Sequence, residues 1–450
     1  MNDPLKVIND PVLAPEERLD ALRSCVREGA VRAGAGGTGE VNNHIHTIYS
    51  FSPYTPAMAA LKAREAGLEA AGSVDHDSAA AAPELIAACA VLGIGGCSGI
   101  ELRVSFTEGP AGNFFAARKL NNPDSAGSAY ITIQGIPSTA LEKTAAFLEP
   151  IRTARLGRTK KMTAAANTIL ADSGFETIDF ETDIVRQSQY RKGGEITERH
   201  IMAAAADKII RRYGRGPDLA EGLKKKLNIA VGAKPEKFLS DPANPHYLYD
   251  VLGILKTGFL PGFFIQPGPE ELIPAGQAVD FALSVNAVPA YSYLGDVGES
   301  PTGDKRAEKF EDDFLPELFD EIKRLGFRAV TYMPPRNTPA QLERIRQFCT
   351  RGDFMEISGV DINSSRQSFN CPEVLGCPHL VDTTWALIAH ERLASVDGNW
   401  GIFSFSNPLS LLPLKERIIL YAKTGRSFDL FKPEASVPKC IEELNKGRSL

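Results

Sequence analysis

No apolar stretch in this sequence approaches the ~18 residues that a membrane-spanning helix needs, so no spanning segment is expected. The opening residues, Met1 to Asp10, are polar and acidic and show no apolar leader, so no secretory signal is expected. Positive charge is in deficit: 50 Lys and Arg against 56 Asp and Glu leave a net charge of −6. Such a balance argues against a general nucleic-acid or membrane surface and leaves room only for a local basic pocket. The seven Cys are scattered and form no Cys-x-x-Cys pair, which fits reduced thiols in a cytoplasmic protein better than a disulfide framework. The glycine run 34–39 is followed by no Gly-Lys-Ser/Thr and reads as a linker or turn rather than a phosphate loop. No Gly-x-Ser-x-Gly is present, so a serine triad has no support.

What is present is an ordinary globular balance, 43% hydrophobic and 24% charged, over 450 residues. The chain divides into five stretches. Residues 1–39 read as a helical extension and a Gly-rich linker. Residues 40–138 alternate strand, helix, strand, helix, strand, which implies parallel strands with helical crossovers. Residues 139–245 are rich in Ala, Lys and Arg with helical periods, and read as a helical insertion. The alternating pattern resumes over 246–390, with strands expected at 287–294, 329–333 and 355–362. Residues 391–450 form an extension without a clear motif. The fold class is α/β.

Histidine is scarce, seven in all, yet three lie between positions 44 and 76. His44 and His46 alternate on a strand, so both imidazoles share one face. Asp75-His76-Asp77 sits where a strand gives way to a helix, although Asp77 or Ser78 could simply cap that helix. Glu101 and Asp361 each follow an apolar run and sit near a strand end, where a carboxylate is costly to bury unless paired or bound to metal. Two His and two carboxylates suit a divalent transition metal: zinc, manganese or iron. A pair of solvated histidines on a strand face is the plainer alternative.

The quoted residues also carry a resemblance. His44-Ile45-His46-Thr47 with Tyr49-Ser50, Val74-Asp75-His76-Asp77, Gly99-Ile100-Glu101-Leu102 and Gly359-Val360-Asp361-Ile362-Asn363 resemble the successive motifs of the polymerase and histidinol phosphatase (PHP) superfamily. The resemblance covers roughly 40–105 and, more loosely, 285–365. It implies a distorted (β/α)7 barrel with one to three metals at the strand C-termini and phosphoester hydrolysis. It also implies that His44, His46, Glu101 and Asp361 hold one metal. Other metal positions of the pattern are changed: Phe51 and Ser52 stand where an acid or His is usual, Asn363 where the last motif ends in His, and Tyr291 where Ala-His-Pro is usual. One complete four-ligand site is therefore expected, with more metals only as weak sites.

Around that site, Asp75 and His76 are expected to position substrate or shuttle protons. Arg199, His200, Arg336 and Asn363 are candidates for holding a small, phosphate-containing anion. Asp296 is a candidate extra ligand or base, and Arg366 a further anion contact. His246 and His390 read as core or surface residues. Three readings remain open on sequence alone: a phosphoesterase, a single-metal amide or carbonyl hydrolase or lyase, and a non-catalytic metal-binding barrel.

Overall fold

The computed structural model describes residues 3–34, 36–297 and 308–446. Its centre is one sheet of eight strands: β1 (Val41–Ile45), β2 (Ala70–His76), β3 (Gly95–Ser105), β4 (Ser128–Gln134), β5 (Ile273–Pro274), β6 (Val288–Ser292), β7 (Ala329–Tyr332) and β8 (Met355–Ser358). They run in the order β1-β2-β3-β4-β6-β7-β8, with the short β5 beside β3. β1, β2 and β3 are parallel, as the alternating pattern predicts. Their crossovers are the helices Pro56–Glu65 and Ala82–Leu92. Thr55 starts the first by accepting from the Met58 N–H, with Pro56 pre-set for the first turn. Gly93, at φ +69°, ends the second, where the absence of a Cβ permits the left-handed turn.

β4 is antiparallel to both β3 and β6. The segment between β3 and β4 contains only the five-residue helix Gly112–Ala116, too little for a parallel crossover. β6, β7 and β8 return to parallel pairing. The sheet curls until its ends meet: the His46 N–H donates to the Ile362 carbonyl at 2.9 Å and the Ile362 N–H to that of His44 at 3.1 Å. Gly359 makes this approach feasible, because a Cβ there would lie 2.5 Å from the Cβ of His44. Ile100, Leu102, Ile131 and Ile133 lie in the main apolar core, while Glu101 and Thr132, paired in register between them, share the opposite face.

The helix Pro378–Val396 covers the starts of the strands. Its Glu391 accepts the Ser98 N–H at 2.7 Å, and its Thr384 accepts from Asn43 at 2.8 Å. This helix runs through the expected border at 390, and the helices Leu414–Arg426 and Pro433–Lys446 pack against it. The extension is thus bound to the foot of the sheet. The helices Leu141–Asp172, Glu198–Tyr213, Pro217–Leu227, Ala233–Leu239 and Tyr247–Gly258 form a layer with its own core, which includes Met162, Ile201, Leu219, Val251 and Phe263. That layer runs past the expected edge at 245. Buried ion pairs tie it to the sheet: Arg155 reaches Asp77 at 2.8 Å and Glu271 at 2.9 Å, and Arg158 reaches Glu271 at 2.6 Å. No helix among the described residues is long and apolar enough to cross a membrane.

Candidate metal centre

β1 presents His44 and His46 on one face, and β2 pairs with β3 so that His76 stands opposite Glu101. Three neighbouring strands thus bring four side chains together, His44, His46 and His76 at the carboxyl ends of β1 and β2 and Glu101 four residues before the end of β3. His44, His46 and Glu101 each offer a ligand atom within 4.8 Å of the others, and all three are buried. His44 Nε2 lies 3.6 Å from Glu101 Oε1 and His46 Nε2 lies 3.8 Å from Glu101 Oε2. Tetrahedral ligands about 2.1 Å from an ion stand roughly 3.4 Å apart, so these gaps suit a cation between the three better than direct contact. His76 Nδ1 comes within 3.1 Å of Glu101 Oε2. Asp361 approaches from the other side, its Oδ1 3.4 Å from His46 Nε2.

Asp361, the fourth expected ligand, lies outside the group of three that stands within 4.8 Å, and Asn363 Nδ2 donates to both its oxygens at 2.7 and 2.9 Å. The site is a deep cleft: His76 and Asp361 keep 28% and 39% of their side-chain surface, against 10% for His44 and Glu101.

Burial holds the imidazoles neutral, which leaves lone pairs for a metal. It lowers His44 and His76 and takes His46 down to about 3. Burial also raises Glu101 well above the usual carboxylate range, reinforced by Asp361 and Asp77. A bound cation would reverse that and restore the carboxylate, so the donor set fits a divalent ion.

Asp75 takes a different place from the expected catalytic one. It is fully buried and accepts the Thr47 N–H and hydroxyl, each at 2.7 Å, and the Ser50 hydroxyl at 2.5 Å. Burial raises it to about 6 despite these bonds. Because the single Ser50 proton goes to Asp75, Ser50 can only accept from His46 Nδ1, 3.2 Å away. This chain assigns the His46 proton to Nδ1 and turns the Nε2 lone pair toward Glu101. Asp75 therefore orients a ligand and does not face the cleft. Nor does Asp77 cap the following helix, which begins only at Ala82; at φ +47° it turns back to Arg155.

The expected anion-binding residues are largely committed. His200 is buried, and its Nδ1 accepts the Thr197 N–H at 3.1 Å, capping its own helix; burial lowers it to about 4. Arg199 donates to the Asn363 carbonyl at 2.9 Å and lies over the Phe51 ring. The Asn363 side chain serves Asp361. Arg336 remains half-buried within the field of Asp361 and Glu311. Asp296 accepts the Phe310 N–H, His246 meets Ser365, and Arg366 pairs with Asp250. Two residues on the cleft wall escape the motif reading, Arg103 and Tyr130. Arg103 stands two positions after Glu101 on the same strand, a period-2 signal the sequence does contain. An apolar groove of about 460 Å³ between Leu409, Leu420 and Leu444 shares none of these side chains.

Fold and site together define an α/β protein with a buried His/carboxylate cluster where the sheet's strands end. No family model matches the chain. No curated protein matches it. Among solved structures it is similar to an amidohydrolase from Chromobacterium violaceum, described with bound sulfate and no metal, at 17% identity and TM-score 0.45. That match covers 73% of this chain and 89% of the other. It is also similar to a protein described as a metal-dependent phosphoesterase from Bifidobacterium adolescentis, at 16% identity and TM-score 0.47 over 75% and 94% of the two chains.

Proposed function

We propose that this chain is a metal-dependent hydrolase of the PHP type, a distorted (β/α)7 barrel acting on a small anionic substrate. The observation that carries the reading is the convergence of His44, His46 and Glu101 within 4.8 Å at the strand ends. These three would hold a divalent transition metal, with Asp361 beside them. Such an ion supplies a Lewis acid that lowers the pKa of water and polarises the bond to be cut.

The chain's own residues do the rest. Ser50 and Asp75 hold His46 in the tautomer that offers Nε2. His76, neutral and open to the cleft, holds Nδ1 3.1 Å from Glu101 Oε2 and keeps its second nitrogen to take or return a proton. Arg336 places positive charge within the field of Glu311 and Asp361. The helical layer reaches the loop that carries Asp361 through Arg199, which donates to the Asn363 carbonyl, and through His246, which meets Ser365.

Metal analysis of purified protein tests the reading, together with phosphomonoester and nucleotide hydrolysis in added manganese, zinc or iron. One ion per chain, and loss of both ion and activity in His44→Ala, are expected. Wild-type protein that takes up no divalent ion overturns it. A single-metal amide or carbonyl hydrolase is a second reading, favoured by Asn363 standing where the resemblance expects a histidine. Hydrolysis of amides but not phosphoesters, with one ion per chain, would select it.

A further inference from the structure

Arg103 follows Glu101 by two residues on β3, so it shares that side chain's face and stands roughly 7 Å further toward the cleft mouth. Its partner in register is Tyr130 on β4. Arg103 Nη2 donates to the Tyr130 hydroxyl at 2.5 Å, with the guanidinium 5.0 Å from the ring centre. The hydroxyl, having accepted this bond, keeps its own proton to donate. Tyr130 also packs 5.9 Å from the ring of His76, which places the pair against the metal centre.

The remaining nitrogens of Arg103, Nε and Nη1, are buried and have no hydrogen-bond partner among the described residues. Among the described residues, the buried Arg18, Arg155 and Arg158 have no orphaned nitrogen and Arg392 has one, its Nε, so two on one guanidinium set Arg103 apart from these. Arg18 spends its donors on Glu84 and on the carbonyls of Asp10 and Leu13. Arg155 and Arg158 hold Asp77 and Glu271. Glu198, the carboxylate of the helical layer nearest in effect, acts on Arg103 only through space. A guanidinium kept only to brace Tyr130 would not need two orphaned donors beside the metal centre.

We propose that Arg103 and the Tyr130 hydroxyl form an oxyanion subsite, which anchors a phosphate or carboxylate group of the substrate one strand rung above His44, His46 and Glu101. A planar, permanently charged donor next to a hydroxyl matches the oxygens of either group. The subsite replaces the assignment of anion binding to Arg199 and His200, whose polar groups are already engaged. Calling the bound group part of a substrate rests on the hydrolase reading; the binding itself does not.

Calorimetric titration of metal-stripped protein with inorganic phosphate, and separately with succinate, tests the subsite. Wild-type protein is expected to bind one anion per chain, and the tighter of the two names the group. Arg103→Met is expected to weaken that binding ~10-fold or more, Arg103→Lys to retain part of it, and Tyr130→Phe to lose several-fold. Full affinity in folded Arg103→Met overturns the proposal, as does wild-type protein that binds neither anion at millimolar concentration. If circular dichroism shows Arg103→Met unfolded, Arg103→Lys and Tyr130→Phe decide, and wild-type affinity in both overturns it. Metal uptake measured on the same protein separates the two readings: anion bound without metal uptake upholds the subsite and removes the hydrolase, and metal uptake without anion binding does the reverse.

Discussion

Asp75 shows how a residue beside a site can serve it without touching the reaction. Its oxygens collect the Thr47 N–H and two hydroxyls in a fully buried place. Asp75→Ala would strand those donors and is expected to cost about 3 kcal/mol, read as a lower urea midpoint at unchanged slope. Ser50→Ala removes the bridge to His46 while sparing the strand. It is expected to lower metal affinity ~10–100-fold in chelator competition, and to cost about 1–3 kcal/mol of unfolding free energy for the buried His46 N–H it leaves unpaired. Equal metal affinity in Ser50→Ala would remove the tautomer-setting role.

Elements decide where these residues stand. The helix Pro378–Val396 closes the foot of the sheet and carries His390, whose Nδ1 accepts the Ile402 N–H at 2.9 Å. Burial lowers His390 to about 4, against 6.5 for a free imidazole. Below 6.5 the unfolded chain binds a proton that the folded chain refuses. The stability this histidine contributes is therefore present above 6.5 and is lost as the pH falls toward 4. The cost of His390→Asn is expected to be largest at neutral pH and to shrink by about 1.4 kcal/mol per unit across that window, checked by urea unfolding at several pH values. The helix Leu141–Asp172 is tied to β2 by Arg155, whose removal leaves Asp77 and Glu271 short of a buried counter-charge. Arg155→Met is expected to cost about 3–5 kcal/mol, while Arg191→Ala, at the exposed pair with Glu181, should cost under about 1. Comparable losses in the two variants would contradict the buried tie.

For the whole molecule, a ligand bound only by the folded state raises stability with its concentration. Metal at 100 times its dissociation constant is expected to add about 2.7 kcal/mol, seen as a melting temperature that chelator lowers in wild type but not in His44→Ala. The layer over the cleft holds three contacts to the loop that carries Asp361: Arg199 to Asn363, His246 to Ser365, and Arg366 beside Ser365 to Asp250. Sheet and helical layer therefore frame the cleft jointly.

Periodicity read the order strand, helix, strand, helix, strand over the first sheet segment, and β1 to β3 with their two crossover helices follow it, because local alternation and turn chemistry are written in neighbouring residues. The same alternation put His44 with His46 on one face, whereas β3 runs four residues past Glu101, which the sequence placed near a strand end. Pairing across the sheet was not local. That β4 runs antiparallel, that Ile362 closes onto His44 and His46, and that Tyr247–Gly258 joins the helical layer depend on contacts between residues far apart in the chain. The same holds for Asp75, whose oxygens are taken up by Thr47 and Ser50 from another strand's end. His200 and Asn363 are engaged locally instead, by Thr197 three residues away and Asp361 two residues away. Sequence alone determined which side chains were candidates to hold a cation; only the fold decided which of them stand within reach of one another, because that distance depends on strands paired across the sheet.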